Sequence, residues 1–152
     1  MLLKRLWVKL KVLKCILFRI NMKQNLLPKN NNLDLKYFKL SEFSSPDDSE
    51  SGSKMDKDFL EKLDYARGNA GVPFKINSGY RTKEWNFKVG GRVGSSHLKG
   101  LAVDIHCNNS RDRALIINAL MEVGVNRFGI ARTFIHADVD KNKDQDVIWL
   151  YN

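Results

Sequence analysis

The three histidines of the chain all lie in its second half, and two of them lie close to aspartates in sequence. His97 is followed by Asp104, with Gly100 between them, and His136 is followed by Asp138. A loop histidine, a glycine turn and an aspartate on the next strand can converge on one point. Two imidazoles and a carboxylate form a three-ligand set with an open fourth position, which zinc uses at catalytic sites.

Two strands would have to bring these ligands together. Residues 101–107 alternate as a strand that places Asp104 and His106 on one face, and residues 133–139 form a second predicted strand. If the two strands pair, Asp104 and His136 become neighbours across the sheet. Spacing alone also fits ordinary core or surface histidines, so it leaves both interpretations open.

The remaining elements follow from apolar periodicity and from capping residues. Apolar residues at helical spacing predict a helix over about 56–69, which Gly71 and Pro73 end. Ser110 can cap another helix that extends to about residue 122. A short helix or turn is predicted over 82–89, and strands over 74–78, 101–107, 133–139 and 147–151. This order predicts an α+β fold with a mostly antiparallel sheet and flanking helices.

Three motifs occur in a fixed order along the chain. The first is Ser78-Gly79-Tyr80-Arg81-Thr82, followed by Asn86 and Gly90-Gly91; the second is Ser95-x-His97-x-x-Gly100-x-Ala102-x-Asp104; the third is Phe134-Ile135-His136-Ala137-Asp138. Together they resemble the zinc D-alanyl-D-alanine carboxypeptidase family, which shares its fold with hedgehog signalling domains and several phage endolysins. The resemblance covers about residues 37–151 and looks closest to small single-domain members found in phages and prophages.

The resemblance implies a hedgehog/D,D-peptidase-like fold and a role for each motif residue. It makes His97, Asp104 and His136 the ligands of Zn²⁺. It makes Arg81 a catalytic and substrate-binding residue that holds the substrate carboxylate or the developing oxyanion. A guanidinium suits this role because it is always charged and offers a bidentate fork. Ser95 would brace the loop or the substrate.

One position departs from the family pattern. Many relatives carry an acid three residues before the last histidine ligand as general base, and here that residue is Thr133. Some relatives have a second histidine where this chain has Phe134. The remaining carboxylate near the metal is Asp138, which would either take the proton of the water as the catalytic base or orient His136 through its other ring nitrogen. His106 could stabilise the transition state, although an exposed or core histidine is the simpler expectation.

Residues 138–146 imitate a calcium-binding loop, with an aspartate or asparagine at every second position. The sixth position is Lys143 instead of glycine, and the twelfth is Trp149 instead of a bidentate glutamate. The flanking segments are predicted strands, whereas such loops lie between helices. We therefore expect a solvated acidic turn.

The net charge of +9 belongs to the N-terminal part of the 152-residue chain. Residues 1–36 contain nine bases and one acid, whereas the remainder contains 17 bases and 16 acids. A nucleic-acid-binding domain usually carries its basic patch on the folded part, so no nucleic-acid partner is expected. We predict a basic, partly amphipathic extension and linker over residues 1–36 and a peptidase domain over residues 37–152.

The first residues of the extension fit more than one role. Apolar residues at helical spacing among bases favour an amphipathic helix over residues 1–20 that contacts an anionic membrane surface peripherally. Lysines interrupt any transmembrane span, and the longest apolar run is short for a secretory signal. The preferred interpretation is an extension upstream of a true start at Met22, and the membrane-contacting helix and an atypical export signal are the alternatives.

The resemblance implies a zinc metallopeptidase in which a zinc-bound water hydrolyses D-amino-acid-containing bonds of peptidoglycan stem peptides. D,D-carboxypeptidase and endolysin-like endopeptidase activities both stay open. The alternative is a catalytically inactive, zinc-containing module that binds cell-wall peptides, which Thr133 favours. We expect a monomer that acts on the bacterial cell wall, although no convincing signal peptide accounts for its export.

Overall fold

A computed structural model of the chain describes residues 33–151. The predicted amphipathic helix and the alternative start at Met22 lie outside the described residues. Leu33 and Leu35 already pack against the hydrophobic core, ahead of the predicted domain start at residue 37. Within residues 33–151, the helices are all too short or too polar to cross a membrane.

A five-stranded sheet forms the centre of the fold. Its strands are β1 (Ile76–Ser78), β2 (Ala102–His106), β3 (Arg127–Ile130), β4 (Phe134–Asp138) and β5 (Val147–Leu150). They are arranged in the order β1-β2-β4-β3-β5. Neighbouring strands are antiparallel except β5, which is parallel to β3. The predicted α+β class with a mostly antiparallel sheet is confirmed.

In the described part of the chain, three α-helices accompany the sheet: α1 (Lys57–Ala70), α2 (Lys83–Lys88) and α3 (Ser110–Glu122). Helix α1 begins after Asp56, whose carboxylate accepts the N–H of Phe59 at 2.9 Å, and it ends at Gly71 with φ of 64°. A glycine suits this end because a side chain is strained in the left-handed region. The predicted limits of α1 are therefore correct to within one residue.

The N-cap of α3 differs from the prediction. Asn109, not Ser110, precedes the helix, and its side-chain oxygen accepts the N–H of Asp112 at 2.8 Å. Ser110 is the first helical residue. Both residue types cap helices well, so the sequence pattern could not distinguish the two positions.

A hydrophobic core joins α1 and α3 to one face of the sheet. Its members from α1, α3 and strands β2 to β4 include Phe59, Leu60, Leu63, Ile116, Leu120, Val103, Ile105, Phe128, Ile135 and Ala137. Side chains alternate between the two faces of a strand. The residues between these core positions, Asp104 on β2 and His136 on β4, therefore lie on the opposite face.

Strand β3 was not predicted. Its four residues include a charged Arg127 and a Gly129, so they carry neither apolar alternation nor a run of β-branched residues. Arg127 is nevertheless buried, because its Nε donates to Asp138 on the neighbouring strand at 2.8 Å. A contact between strands thus overrides the weak local preference.

Candidate functional site

The side chains of His97, Asp104 and His136 converge on one point. Nδ1 of His136 lies 2.9 Å from Oδ1 of Asp104, and Nε2 of His97 lies 3.3 Å from Nδ1 of His136. Nε2 of His97 and Oδ1 of Asp104 are 3.4 Å apart, and all three residues are buried. In a tetrahedral site with bonds of about 2.0–2.1 Å, ligand atoms are about 3.3 Å apart. The three atoms therefore have the spacing that zinc requires.

Three backbone elements set this geometry. Strands β2 and β4 pair in a register that places Asp104 directly opposite His136, as predicted. His97 comes from a 3₁₀ turn, Ser96–Lys99, and Ser95 caps this turn by accepting the N–H of His97 at 3.3 Å. The observed contact of Ser95 is therefore with the loop.

The hydrogen bonds on the far side of each ring determine which nitrogen faces the site. Nδ1 of His97 donates to the carbonyl of Gly79 at 2.6 Å, and Nε2 of His136 donates to Oδ2 of Asp138 at 3.1 Å. Because a carbonyl and a carboxylate only accept, each ring keeps a proton on its outer nitrogen. The lone pairs on Nε2 of His97 and Nδ1 of His136 are then free to bind a cation, and neutral imidazole is the form that binds metal.

The charge balance of the site supports a cation. Burial alone would lower the pKa of His136, but hydrogen bonds with Asp104 and Asp138 outweigh burial and raise its pKa. Burial would raise the pKa of Asp104, yet hydrogen bonds with His136 and His97 hold that pKa well below its ordinary value. A buried carboxylate facing two imidazoles needs positive charge, which either a proton on His136 or a metal ion supplies. The residues present fit zinc.

Arg81 lies at the edge of this cluster. Its Nη2 donates to Oδ2 of Asp104 at 2.7 Å, and its Nε donates to Oγ of Ser78 at 2.8 Å. Its main-chain N–H donates to the carbonyl of His97 at 3.1 Å. Arg81 is therefore bonded to the segments that carry two of the three ligands.

Asp138 lies on the outer side of His136. Its Oδ2 accepts from His136, and its Oδ1 accepts from Nε of Arg127 at 2.8 Å and from the N–H of Asp140 at 3.1 Å. Burial would raise the pKa of Asp138, but the bonds from His136 and Arg127 outweigh burial and lower it. The imidazole separates this carboxylate from the ligand atoms. The contacts favour the orienting role over that of a catalytic base.

The segment after β4 is not the solvated acidic turn that the sequence predicted. Asp140 is fully buried, and its Oδ2 accepts from Lys99 Nζ at 2.9 Å and from Ser96 Oγ at 3.1 Å. These bonds hold the 3₁₀ turn that carries His97 against the end of β4. Of the acidic residues in this segment, Asp144 and Asp146 are exposed as expected.

Trp149 and Tyr151 form an aromatic wall of the site, a role that local sequence patterns do not indicate. The rings of Trp149 and Tyr151 lie 5.5 Å and 6.5 Å from the ring of His136, measured between centroids. Gly129 lies between β4 and β5, opposite both His136 and Trp149. A Cβ at Gly129 would come within 2.5 Å of Tyr151 and 2.6 Å of Trp149. The glycine therefore leaves room for the aromatic wall.

The other residues considered from sequence lie near the site without joining the ligand cluster. Thr133 is exposed in the turn before β4, and its carbonyl accepts the N–H of Cys107. The ring of Phe134 packs against Tyr151 at 5.2 Å. His106 is exposed at the end of β2.

The family model described as peptidase M15 matches residues 36–139, which is more than half of the chain. The chain belongs to the M15 peptidase family. The resemblance to zinc D-alanyl-D-alanine carboxypeptidase-like proteins is thereby confirmed, and M15 peptidases are zinc-dependent. The matched range of this M15 peptidase includes Arg81, Ser95, Asp138 and the three candidate ligands. No curated protein sequence is matched by the chain.

The three histidines allow a matched test of the metal site in this M15 peptidase. His97→Ala and His136→Ala should each reduce bound zinc from about one equivalent to near zero, because each removes one of three protein ligands. His106→Ala removes the exposed histidine and should leave zinc binding unchanged. Isothermal titration of chelator-treated protein measures all three. Equal zinc binding by His97→Ala and wild type would contradict the assigned ligands.

The orienting role of Asp138 predicts a smaller effect. Asp138→Asn should weaken zinc binding by about 10- to 100-fold, because it replaces the acceptor that holds the proton on Nε2 of His136. Asp144→Asn makes the same chemical change at an exposed position and should have no effect. Competition with a chromogenic chelator gives both affinities. Unchanged affinity in Asp138→Asn would show that the carboxylate does not orient the ligand.

Proposed function

We propose that this M15 peptidase hydrolyses D-amino-acid-containing peptide bonds in the stem peptides of bacterial peptidoglycan, as a D,D-carboxypeptidase or an endolysin-like endopeptidase. The observation that carries the proposal is the convergence of two histidine lone pairs and one carboxylate within 3.4 Å, on the sheet face away from the core. Such a three-ligand set leaves a coordination position for chemistry.

Zinc bound by these residues would supply a Lewis acid that polarises the scissile carbonyl and makes a water molecule acidic near neutral pH. Residues of the chain orient the ligands and the substrate. Gly79 and Asp138 keep the outer ring nitrogens of the histidines protonated, so the inner nitrogens face the metal position. Fixing ligands in advance lowers the cost of reorganisation during the reaction.

Arg81 is suited to hold the anionic end of the substrate. Two of its three guanidinium nitrogens are bonded to Ser78 and Asp104, which fixes the plane and direction of the group. The side chain of Arg81 is 17% exposed, so a substrate in the site can reach it. A fixed guanidinium can bind a carboxylate with little loss of side-chain entropy. Trp149 and Tyr151 would limit the access of water to the site on the side where their rings lie near His136.

A second function is favoured by the lack of a free carboxylate at the usual base position. Thr133 cannot accept a proton from water, and both oxygens of Asp138 are engaged with His136, Arg127 and Asp140. A zinc-containing module that binds cell-wall peptides without cleaving them would have these features. The two functions differ in whether a folded, zinc-loaded protein cleaves the peptide.

The partners and location proposed for the protein follow from the sequence. The proposed ligand is the stem peptide of peptidoglycan, and the proposed place of action is the cell wall. The protein would act as a monomer, and residues 1–20 would contact the membrane peripherally. The balance of 17 bases and 16 acids in residues 37–152 supports the absence of a nucleic-acid partner.

Purified muropeptides provide the direct test of the proposed function. Zinc-loaded protein should release a terminal alanine if it is a carboxypeptidase, or cut the stem or cross-link if it is an endopeptidase, and mass spectrometry distinguishes these products. His97→Ala should abolish cleavage, whereas His106→Ala should retain it. Binding of muropeptides without cleavage by the zinc-loaded wild type would support the binding module. If the zinc-loaded protein neither binds nor cleaves muropeptides, the result would contradict both functions.

Amidated substrates distinguish binding of the substrate carboxylate by Arg81 from its hydrogen bond to Asp104. If Arg81 binds the terminal carboxylate, amidation of that carboxylate should lower kcat/KM by about 10- to 100-fold for wild type but have little further effect on Arg81→Ala. If Arg81 only holds Asp104, amidation should affect both enzymes equally. Initial rates on the four combinations give the coupling.

A further inference from the structure

Residues 82–95 form a segment whose two ends lie close to the metal site. Arg81, which precedes them, is bonded to Asp104, and Ser95, the last of them, caps the turn that carries His97. The segment contains helix α2 and a glycine-rich turn, and we call it the site loop. The two ends of the site loop are therefore fixed to elements that carry the candidate ligands.

The tip of the site loop exposes large apolar side chains. Phe87 is 87% exposed and Val93 is 95% exposed. The side-chain amide of Asn86 donates to the carbonyl of Arg92 at 3.0 Å, and this bond joins the two limbs of the loop. Phe87 and Val93 each directly follow one of the two joined residues in sequence.

The shape of this tip argues against a subsite for a peptide or a sugar. Ligand subsites are concave, and their apolar side chains are partly covered by neighbouring residues. Phe87 and Val93 are almost uncovered, so they project from a convex surface. Convex elements with projecting apolar side chains and adjacent bases are typical of proteins that enter the interfacial region of a bilayer.

The charges on the site loop complement an anionic surface. Lys83, Lys88 and Arg92 are exposed, against a single acid in the loop, Glu84. The carboxylate that contacts the loop from outside is Asp47, which accepts from the hydroxyl of Thr82 at the start of α2. Among residues 33–151, the lysines and arginines in ion pairs are others: Lys54, Arg81, Lys99, Arg127 and Lys143. Lys88 also lies 4.8 Å from the centroid of the Trp85 ring. Hydrogen bonds from Ser45 and Thr82 lower the pKa of Asp47, and the charge of Lys88 helps to lower it. All three loop bases are nevertheless exposed and lie outside these ion pairs, so their charges face solvent.

We propose that the site loop contacts an anionic lipid bilayer. Phe87 and Val93 enter the interfacial region, and Lys83, Lys88 and Arg92 lie against the headgroups. This contact is separate from the one predicted for residues 1–20 and does not depend on the proposed peptidase activity.

A fluorophore on the loop distinguishes its contact from that of the basic N-terminal segment. In the full-length protein with Cys15→Ser, Val93→Cys carries an environment-sensitive label, and Cys107 is left in place because it is buried. Ala114→Cys, at an exposed position of α3, carries the reference label. Vesicles of phosphatidylcholine with phosphatidylglycerol should shift the emission at position 93 to the blue and leave position 114 unchanged.

Charge reversals test the electrostatic part of the contact. Lys88→Glu combined with Arg92→Glu should raise the lipid concentration needed for half of the change at position 93 by at least about tenfold. Lys57→Glu combined with Arg111→Glu makes the same charge change outside the loop and should have a much smaller effect. Equal effects of the two pairs would show that only net charge matters and would contradict a loop contact.

The label also decides between a bilayer and the cell wall. An unchanged emission at position 93 with vesicles would overturn the proposal, whether or not the protein sediments with them. A response to purified peptidoglycan but not to vesicles would assign the site loop to the wall polymer instead. A response to vesicles that requires phosphatidylglycerol is the result that the proposal predicts.

Discussion

The ring of His136 lies between two carboxylates, and the arrangement of the site depends on this contact. Asp138 accepts from its outer nitrogen, and Asp104 faces its inner nitrogen at 2.9 Å. Both carboxylates have a lowered pKa, so each remains charged in a buried setting. Two buried negative charges are costly unless positive charge lies between and beside them. Arg81 and Arg127 supply part of that charge, and either a proton on His136 or a metal ion on its inner side supplies the rest.

The sheet provides the supports for this ring. The register of β2 and β4 brings Asp104 opposite His136, and the register of β3 brings Arg127 opposite Asp138. Gly129 on β3 leaves space for Trp149 of β5 to pack near the ring of His136. A shift of one residue in any of these pairings would move the polar side chains to the core face. The hydrophobic core thus maintains the register on which the ligand cluster depends.

The sequence predicted the ligand-bearing strands because alternation is a local property. Asp104 and His136 each interrupt an apolar strand, and pairing of those strands was enough to bring the residues together. Arg127 and the aromatic wall could not be found in this way, since β3 has four residues and its charged residue is buried only through Asp138. The aspartates after β4 repeat at equal spacing, yet Asp140 is buried by contacts with Lys99 and Ser96, which are distant in sequence.

Zinc should bind the inner nitrogen of each ring, Nε2 of His97 and Nδ1 of His136. Long-range ¹H–¹⁵N NMR of histidine-labelled protein during a zinc titration resolves the four nitrogens individually. We expect zinc to shift the resonances of these two inner nitrogens, while Nδ1 of His97 and Nε2 of His136 keep their protons. Zinc on Nε2 of His136, or a shift confined to His106, would contradict this assignment of the ligand atoms.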